Sequence, residues 1–323
     1  MPRVQPRDPR RDEDGRLHRP ARRRRGGHHR DAAGQGDREP VQPGRGRQRH
    51  RHGLQRLLAG MFRGAAMSGV DWNGILRLPE AALAGCRRIP KTVLVKQAML
   101  TKTEQKRLDK VARLEHFATV QKSTTRIPPY EDDDHNVQSV VFLRCEMAAG
   151  TMAVAEVAEL VHKCFPNPTA LLVEAGGCAC VSVALTRKSQ AEQGATVVDR
   201  IEATGAFDPY SPEYADFLGV LAFERLSQGD LWEYLLDMAR AVALSRAIGG
   251  LGFYPACPAR DREKLIALTS RYDELGASVK RMKEQRRSKD ITLNESAKLR
   301  MEMKEEERRL RAVADEIKEI CNG

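Results

Sequence analysis

The sequence is poor in aromatic side chains and has no long apolar run. Aromatic residues make up 5% of its 323 residues. Its longest weakly polar stretch, residues 168–185, is interrupted by Glu174 and by the Gly176-Gly177 pair. Because a membrane-spanning helix needs about 20 consecutive, mostly apolar residues, this stretch is not one. The sequence predicts a protein without membrane spans, long enough for one large domain or two modest ones.

Lysine is missing from the first 66 residues, which nevertheless carry the whole net charge of the chain. They contain 18 Arg and 7 acidic residues, a net charge of +11, whereas residues 67–323 contain 37 basic and 37 acidic residues. The segment is also rich in Gly, Pro and His. It cannot bury enough apolar surface to offset its ordering entropy, so residues 1–66 are predicted to be a disordered arm.

Two origins of this arm are consistent with its composition. In the first, the segment is an Arg-rich arm, centred on residues 22–25, that neutralises nucleic-acid phosphates. Alternatively, Arg without Lys is typical of GC-rich DNA translated upstream of the true start codon. The composition of the sequence becomes typical of a folded protein near Met67. We favour the second interpretation. A targeting peptide is disfavoured because the segment has no apolar core and contains seven acids.

Paired cysteine motifs of the kind that hold zinc are also absent. The seven cysteines are irregularly spaced, and none forms a Cys-x-x-Cys motif. Cys178 and Cys180 form the one close pair, but a zinc site needs about four ligands. An odd number of cysteines without a secretion signal argues against a disulfide framework and favours the cytoplasm. We therefore predict packed thiols, no metal and no cofactor.

The sequence lacks the common catalytic signatures. It has no P-loop, no His-Glu-x-x-His and no Gly-x-Ser-x-Gly. A divergent metal-dependent nuclease is the alternative enzyme class, because Glu146, Glu174 and Glu202 lie in predicted strands. None of the three is followed two residues later by the Lys expected in such a nuclease core. A non-catalytic protein is therefore favoured.

The centre of the sequence predicts a small mixed β-sheet in the order β-α-β-β-β. Residues 138–146, 169–174, 179–185 and 196–204 have strand character, and residues 151–164 have apolar side chains at helical spacing. The long helical connection permits parallel pairing of the first two strands, whereas the turn at Gly176-Gly177 makes a hairpin. Further helices follow between residues 211 and 250. The predicted fold class is α+β.

Upstream of this sheet the sequence predicts two helices. Residues 79–85 resemble a short helix that ends at Gly85. Thr101 and Glu104 form a capping-box pattern, and the apolar residues Leu108, Val111 and Leu114 form a helical stripe after it. The opposite face of that helix is predicted to be basic. As weak candidates for phosphate contact it offers Lys102, Lys106, Arg107, Lys110 and Arg113, although a merely solvated face is the more common explanation.

The C-terminal segment carries two heptad patterns separated by a short interruption. A second capping-box pattern, Thr292 to Glu295, opens the second one. The spacing predicts a helical hairpin or a paired coiled coil, and the seam serves either internal packing or a partner. The candidate seam residues are Leu265, Leu268, Tyr272, Leu275, Val279, Met282, Leu299, Met303, Leu310, Val313, Ile317 and Ile320.

Several short motifs occur together in an order that resembles one bacterial family. They are residues 88–91 (RIPK), 111–117 (VARLEHF), 121–127 (QKSTTRI), 161–173 (VHKCFPNPTALLV), 284–287 (EQRR) and 293–295 (LNE). The sequence resembles a family of bacterial domains of unknown function over about residues 70–320. Members of that family are often encoded beside helicase and DNA methyltransferase genes in restriction-like phage-defence islands. The resemblance implies a functional neighbourhood and no catalytic residues.

Taken together, these patterns predict a disordered arm (1–66), an α/β domain with a helical extension (67–256) and a coiled-coil hairpin (257–323). We expect an accessory subunit of a bacterial defence system. It assembles with a helicase or methyltransferase, or with itself, through the hairpin. A nucleic-acid-binding accessory protein is the alternative.

Overall fold

A computed structural model of the chain describes residues 69–322 except 152, 193, 257–258 and 288–290. The predicted arm, residues 1–66, lies outside the described residues. The described chain is a mixed α+β fold, as expected. Its strands are β1 (Leu83–Arg88), β2 (Val111–Gln121), β3 (Tyr130–Glu131), β4 (Asn136–Val137), β5 (Ser139–Met147), β6 (Thr169–Ala175), β7 (Cys178–Lys188) and β8 (Thr196–Ala203).

The helices flank this sheet and continue after it. They are α1 (Trp72–Leu76), α2 (Lys91–Ala98), α3 (Lys102–Leu108), α4 (Lys122–Thr125), α5 (Val154–Cys164), α6 (Ala215–Val220), α7 (Leu231–Ser245), α8 (Ile248–Leu251), α9 (Arg262–Arg286) and α10 (Leu293–Asn322). Short 3-10 turns occupy Glu80–Ala82, Pro212–Tyr214, Phe223–Arg225 and Ala259–Asp261. None of the described helices is long and apolar enough to cross a membrane.

Six strands form one mixed sheet in the order β1-β2-β5-β6-β7-β8, and β3 and β4 form a separate small pair. The predicted β-α-β-β-β unit is confirmed. The helix α5 connects β5 to β6, which pair in parallel with Val141 opposite Thr169. The hairpin of β6 and β7 and the pairing of β7 with β8 are antiparallel.

The sheet extends two strands beyond the prediction, and the helices predicted there are wrong in part. Residues 83–88 form β1 rather than the end of a helix. The helix that begins at Thr101 ends at Leu108, and Val111 starts β2. A register shift between Val111 and Arg113 marks an irregularity of the bulge type, which adds one residue to the alternation of faces. Val111 and Leu114 therefore face the same core at a spacing of three that imitates a helix.

Each face of the sheet is covered by its own apolar core. On one face α5 packs with α2 and α3, and Val157, Val161 and Leu171 are among the residues with no accessible side chain. On the other face α7 packs against β7, with Val181, Tyr234 and Val242 in the contact region. The alternation along β5 follows this arrangement, since Phe142 and Leu143 belong to opposite cores.

One histidine is enclosed in the core on the α5 side. His162 has no exposed surface, and its Nε2 lies 2.9 Å from the Oγ of Ser182 on β7. Its Nδ1 has no hydrogen-bond partner. Burial lowers the pKa of His162 to about 4, because the apolar surroundings disfavour the charged ring. The folded protein therefore holds this side chain in its neutral form.

This burial predicts a loss of stability in mild acid. The unfolded chain takes up a proton at His162 near pH 6.5 and the folded chain only near pH 4, so stability is complete above pH 6.5 and falls below it. The free energy of unfolding should fall by about 2 kcal/mol between about pH 7 and pH 4.5 through this residue alone.

The measurement is urea unfolding at several pH values for the wild type and for His162→Gln, which keeps an amide donor for Ser182 and cannot titrate in this range. The difference in stability between the two proteins should shrink as the pH falls. A difference that is constant across the range contradicts the assignment.

Candidate functional site

The two C-terminal helices form an antiparallel hairpin, as the heptad patterns predict. Thr292 and Glu295 form the predicted capping box, with the Glu295 carboxylate accepting from the Thr292 backbone N–H at 2.9 Å. Two ion pairs cross between the helices: Lys264 with Glu316 and Lys283 with Glu307, each at 3.0 Å. All twelve predicted seam residues are buried or half-buried. A role for the seam in binding a partner stays a prediction.

The base of the hairpin belongs to the core of the α/β domain. Leu265 and Ile317 have no accessible surface and lie in the same apolar cluster as α7. Tyr272 lies against α8, where Gly250 leaves room for its ring. A Cβ at Gly250 would collide with that ring. Substitutions at Ile317 would therefore test folding rather than partner binding.

The distal half of the hairpin packs only as a pair of helices. Val279 is buried but belongs to neither apolar core, and Met282, Leu299 and Met303 remain half-buried. The helix α9 continues for about 17 Å past Leu275, its last residue that packs against the core. The hairpin is the C-terminal arm of the chain, distinct from the N-terminal arm of residues 1–66. Its distal half, residues 276–310, is the arm tip.

Two large apolar side chains on the arm tip are open to solvent. Leu293, the first residue of α10, is 91% exposed, and Met301 is 75% exposed. They are among six large apolar side chains that are exposed in the described part of the chain. They lie eight residues apart on α10, about 12 Å along its axis, and outside the heptad positions of the seam. Exposed apolar side chains of this size on the hairpin are candidates for contact with another protein.

The basic face predicted on the helix after Thr101 does not form as expected. Lys102 and Lys106 are exposed on α3, and Arg107 pairs there with Glu156 at 3.1 Å. Lys110 lies in the turn before β2 and Arg113 on β2, where Arg113 pairs with Glu115 at 2.5 Å. The five cations therefore occupy three different elements, because the helix ends at Leu108, and two of them are paired with carboxylates.

The carboxylate of Glu174 ties the entering chain to the sheet. It accepts hydrogen bonds from Arg144 Nε at 2.7 Å and from Trp72 Nε1 at 2.9 Å. The Val70 backbone N–H also donates to it, at 3.2 Å. The contact with Glu174 raises the pKa of the Arg144 guanidinium. The Glu174 oxygens are thus occupied by four donors, since Arg144 donates twice.

The three carboxylates of the nuclease hypothesis do not come together as one site: Glu146 neighbours Glu174, whereas Glu202 lies apart from both. Glu202 is buried on β8 between Arg200 at 3.3 Å and Arg246 at 3.0 Å. Glu146 lies opposite Glu174 in the parallel pairing of β5 with β6, and its side chain is exposed. Within the described residues, no group of three or more His, Cys, Asp or Glu side chains could hold a metal ion.

The cysteine pair lies on β7, with Cys180 buried and Cys178 half-buried. Burial raises the pKa of the Cys180 thiol, which keeps it in the uncharged form. An uncharged, enclosed thiol packs as a small apolar group.

Fold and hairpin together define a mixed α/β domain with a C-terminal two-helix arm. The profile of the family described as domain of unknown function DUF4391 matches residues 76–310. The chain belongs to this family. The match includes the sheet, both core-forming helices and most of the hairpin. No curated protein and no solved structure matches the chain.

The contacts of Glu174 predict a stability role for this carboxylate. Replacing Glu174 by Ala leaves the Arg144 guanidinium and the Trp72 N–H without their acceptor. Hydrogen bonds to a charged group contribute about 1.5–3 kcal/mol, so unfolding in urea should become easier by about 2–3 kcal/mol. Glu146→Ala, a change of the same chemistry on the neighbouring strand, should alter stability by less than about 0.5 kcal/mol. Equal losses in the two variants would show that the Glu174 contacts do not stabilise the fold.

Proposed function

We propose that this chain is a non-catalytic accessory subunit that assembles with another protein through the tip of its C-terminal arm. The observation that carries the proposal is the exposure of the apolar side chains of Leu293 and Met301 on the same helix whose seam residues Leu299 and Met303 stay half-buried. In a two-helix hairpin each seam residue packs against only one facing helix. A third amphipathic helix can therefore cover the side of the seam that stays open.

The chemistry expected of the partner follows from this surface. A helix that presents Leu, Ile or Met at heptad spacing would bury the open side of the seam. A second copy of this chain can also supply a helix to this surface. The resemblance to proteins encoded beside helicase and methyltransferase genes supports a protein of one of those two classes, within a bacterial anti-phage or restriction-like system, as the partner.

The two alternative functions have less support from the contacts of the chain. The hypothesis of phosphate contact assumed that five cations share one helix face, but these cations lie on three different elements. A nuclease reaction at Glu146, Glu174 and Glu202 requires carboxylates free to bind a cation, and two of these three are already paired with arginines. Assembly through the arm uses Leu293 and Met301, whose side chains are exposed.

The test is recovery of partners by the tagged full-length protein from native cells, with proteins identified by mass spectrometry. The double variant Leu293→Ser, Met301→Ser removes the apolar surface without disturbing the core. Burying two such side chains contributes about 2 kcal/mol or more, so the recovered helicase or methyltransferase should decrease more than about tenfold.

The matched control is Met99→Ser with Tyr210→Ser, two side chains that are 86% and 72% exposed and lie outside the hairpin. This variant should recover the partner at the wild-type level. Equal recovery by the arm variant and the wild type would contradict the proposal. Sedimentation of the purified proteins shows whether the arm variant instead loses self-association, which would identify a second copy of the chain as the partner.

A further inference from the structure

The two flanks of the hairpin differ in charge. With the apolar seam at heptad positions a and d, positions b and e form one flank and positions c and g the other. The observed ion pairs fit this assignment, since Lys283 and Glu307 are both at position e and Lys264 and Glu316 both at position g. An antiparallel pair of helices therefore brings e beside e and g beside g.

The flank formed by positions b and e is basic. Between residues 271 and 311 it carries six cations and two acids, Asp273 and Glu307. The flank formed by positions c and g carries four cations and four acids over the same residues. The first flank is called the basic flank below. Its cations are Lys280, Lys283, Arg287, Arg300, Lys304 and Arg311.

Most cations of the basic flank have no partner in the described part of the chain. Lys283 pairs with Glu307 at 3.0 Å, and the other five form no ion pair among the described residues. All six side chains are exposed. On the opposite flank, Arg309 pairs with Glu305 and Glu306, and Lys298 lies 3.9 Å from Glu302.

The spacing of these cations fits a linear polyanion better than a single small anion. Lys280 and Arg287 are seven residues apart, about 10 Å along α9, and Lys304 and Arg311 are equally far apart along α10. The cations thus form two parallel rows along an arm rather than converging on one point. A nucleic-acid backbone presents regularly repeated charges to such a surface, and released counterions favour the contact.

We infer that the basic flank of the C-terminal arm binds the phosphodiester backbone of a nucleic acid. The contact is independent of sequence, because it uses charges on the backbone and no base edges. This inference uses other residues than the assembly surface at Leu293 and Met301, so either proposal can fail without the other.

Chemical acetylation of lysine side chains in the full-length protein measures how accessible this flank is, without interference from the N-terminal arginines. The first 66 residues contain no Lys, so their arginines give no signal even if they bind nucleic acid. The rate of acetylation is measured by mass spectrometry with and without a 20-base-pair duplex of mixed sequence. Acetylation of Lys280 and Lys304 should slow at least threefold, whereas Lys298 on the opposite flank should keep its rate.

Two further comparisons sharpen the result. Single-stranded DNA and a duplex RNA of the same length, used in place of the DNA duplex, show which backbone gives the strongest protection. Protection should disappear as salt is raised, since each neutralised phosphate adds about 0.9 to the slope of log affinity against log salt. Protection of Lys102, Lys106 and Lys110 instead of the basic flank would move the contact to α3 and its turn and overturn the inference.

Matched variants separate a local surface from overall charge. Lys280→Gln with Arg287→Gln and Lys304→Gln removes three cations from the basic flank and leaves Lys283 as a reporter. The control triple, Arg281→Gln with Lys298→Gln and Arg309→Gln, removes three cations from the opposite flank of the same helices. Protection of Lys283 should be lost in the first triple and kept in the second. Equal loss in both triples, or no protection of the wild type, would overturn the inference.

Discussion

The arm can present its surfaces only because its base is fixed in the domain core. Leu265 and Ile317 are completely enclosed beside α7, and burial of each such side chain contributes about 1.5–3 kcal/mol. The ring of Tyr272 against Gly250 adds a contact that only glycine accommodates. The ion pairs at either end are half-exposed and add little stability, so the apolar spacing determines how α9 and α10 pair.

The sheet is similarly organised by contacts in which two of its carboxylates are paired with arginines. Glu174 gathers the entering chain, Arg144 and Trp72 at the end of β6. Glu202 joins edge strand β8 to the end of α7 through Arg246. Acidic residues on strands suggest catalysis when only the sequence is considered. Here two of the three are paired with arginines at junctions between elements, and removing one partner of such a buried pair is strongly destabilising.

The parts of the fold that the sequence predicts well are those with regular spacing. The central strands β6 and β7 are continuous apolar runs separated by a glycine turn, the capping box at Thr292 marks the start of α10, and the heptads predict the hairpin. The strand β2 escapes prediction for a physical reason. The register shift after Val111 puts Val111 and Leu114 on one face at a helical spacing, and sequence periodicity alone cannot separate that pattern from a helix.

The candidate surfaces were only partly visible in the sequence. Heptads identify which residues form a seam, and they also determine the charge of each flank once the direction of pairing is known. The sequence leaves a hairpin and a paired coiled coil open, and the contact of Lys283 with Glu307 shows that the two helices pair antiparallel. Exposure of Leu293 and Met301 is likewise a tertiary property, because an apolar residue at the start of a helix is as often covered by a neighbouring element.

The two proposed surfaces lie close enough on the arm to influence each other. Leu293 occupies heptad position e, two helical turns before Arg300 on the basic flank. A protein docked on Leu293 therefore lies beside the proposed phosphate path. Linkage requires that each ligand changes the affinity of the other by the same factor. A partner that carries its own cations extends the path and strengthens both contacts, whereas an acidic partner repels the backbone. A helicase or methyltransferase, the partner classes proposed above, acts on nucleic acid itself, so such a partner would favour the cooperative case, in which the arm would join protein and nucleic acid in one assembly.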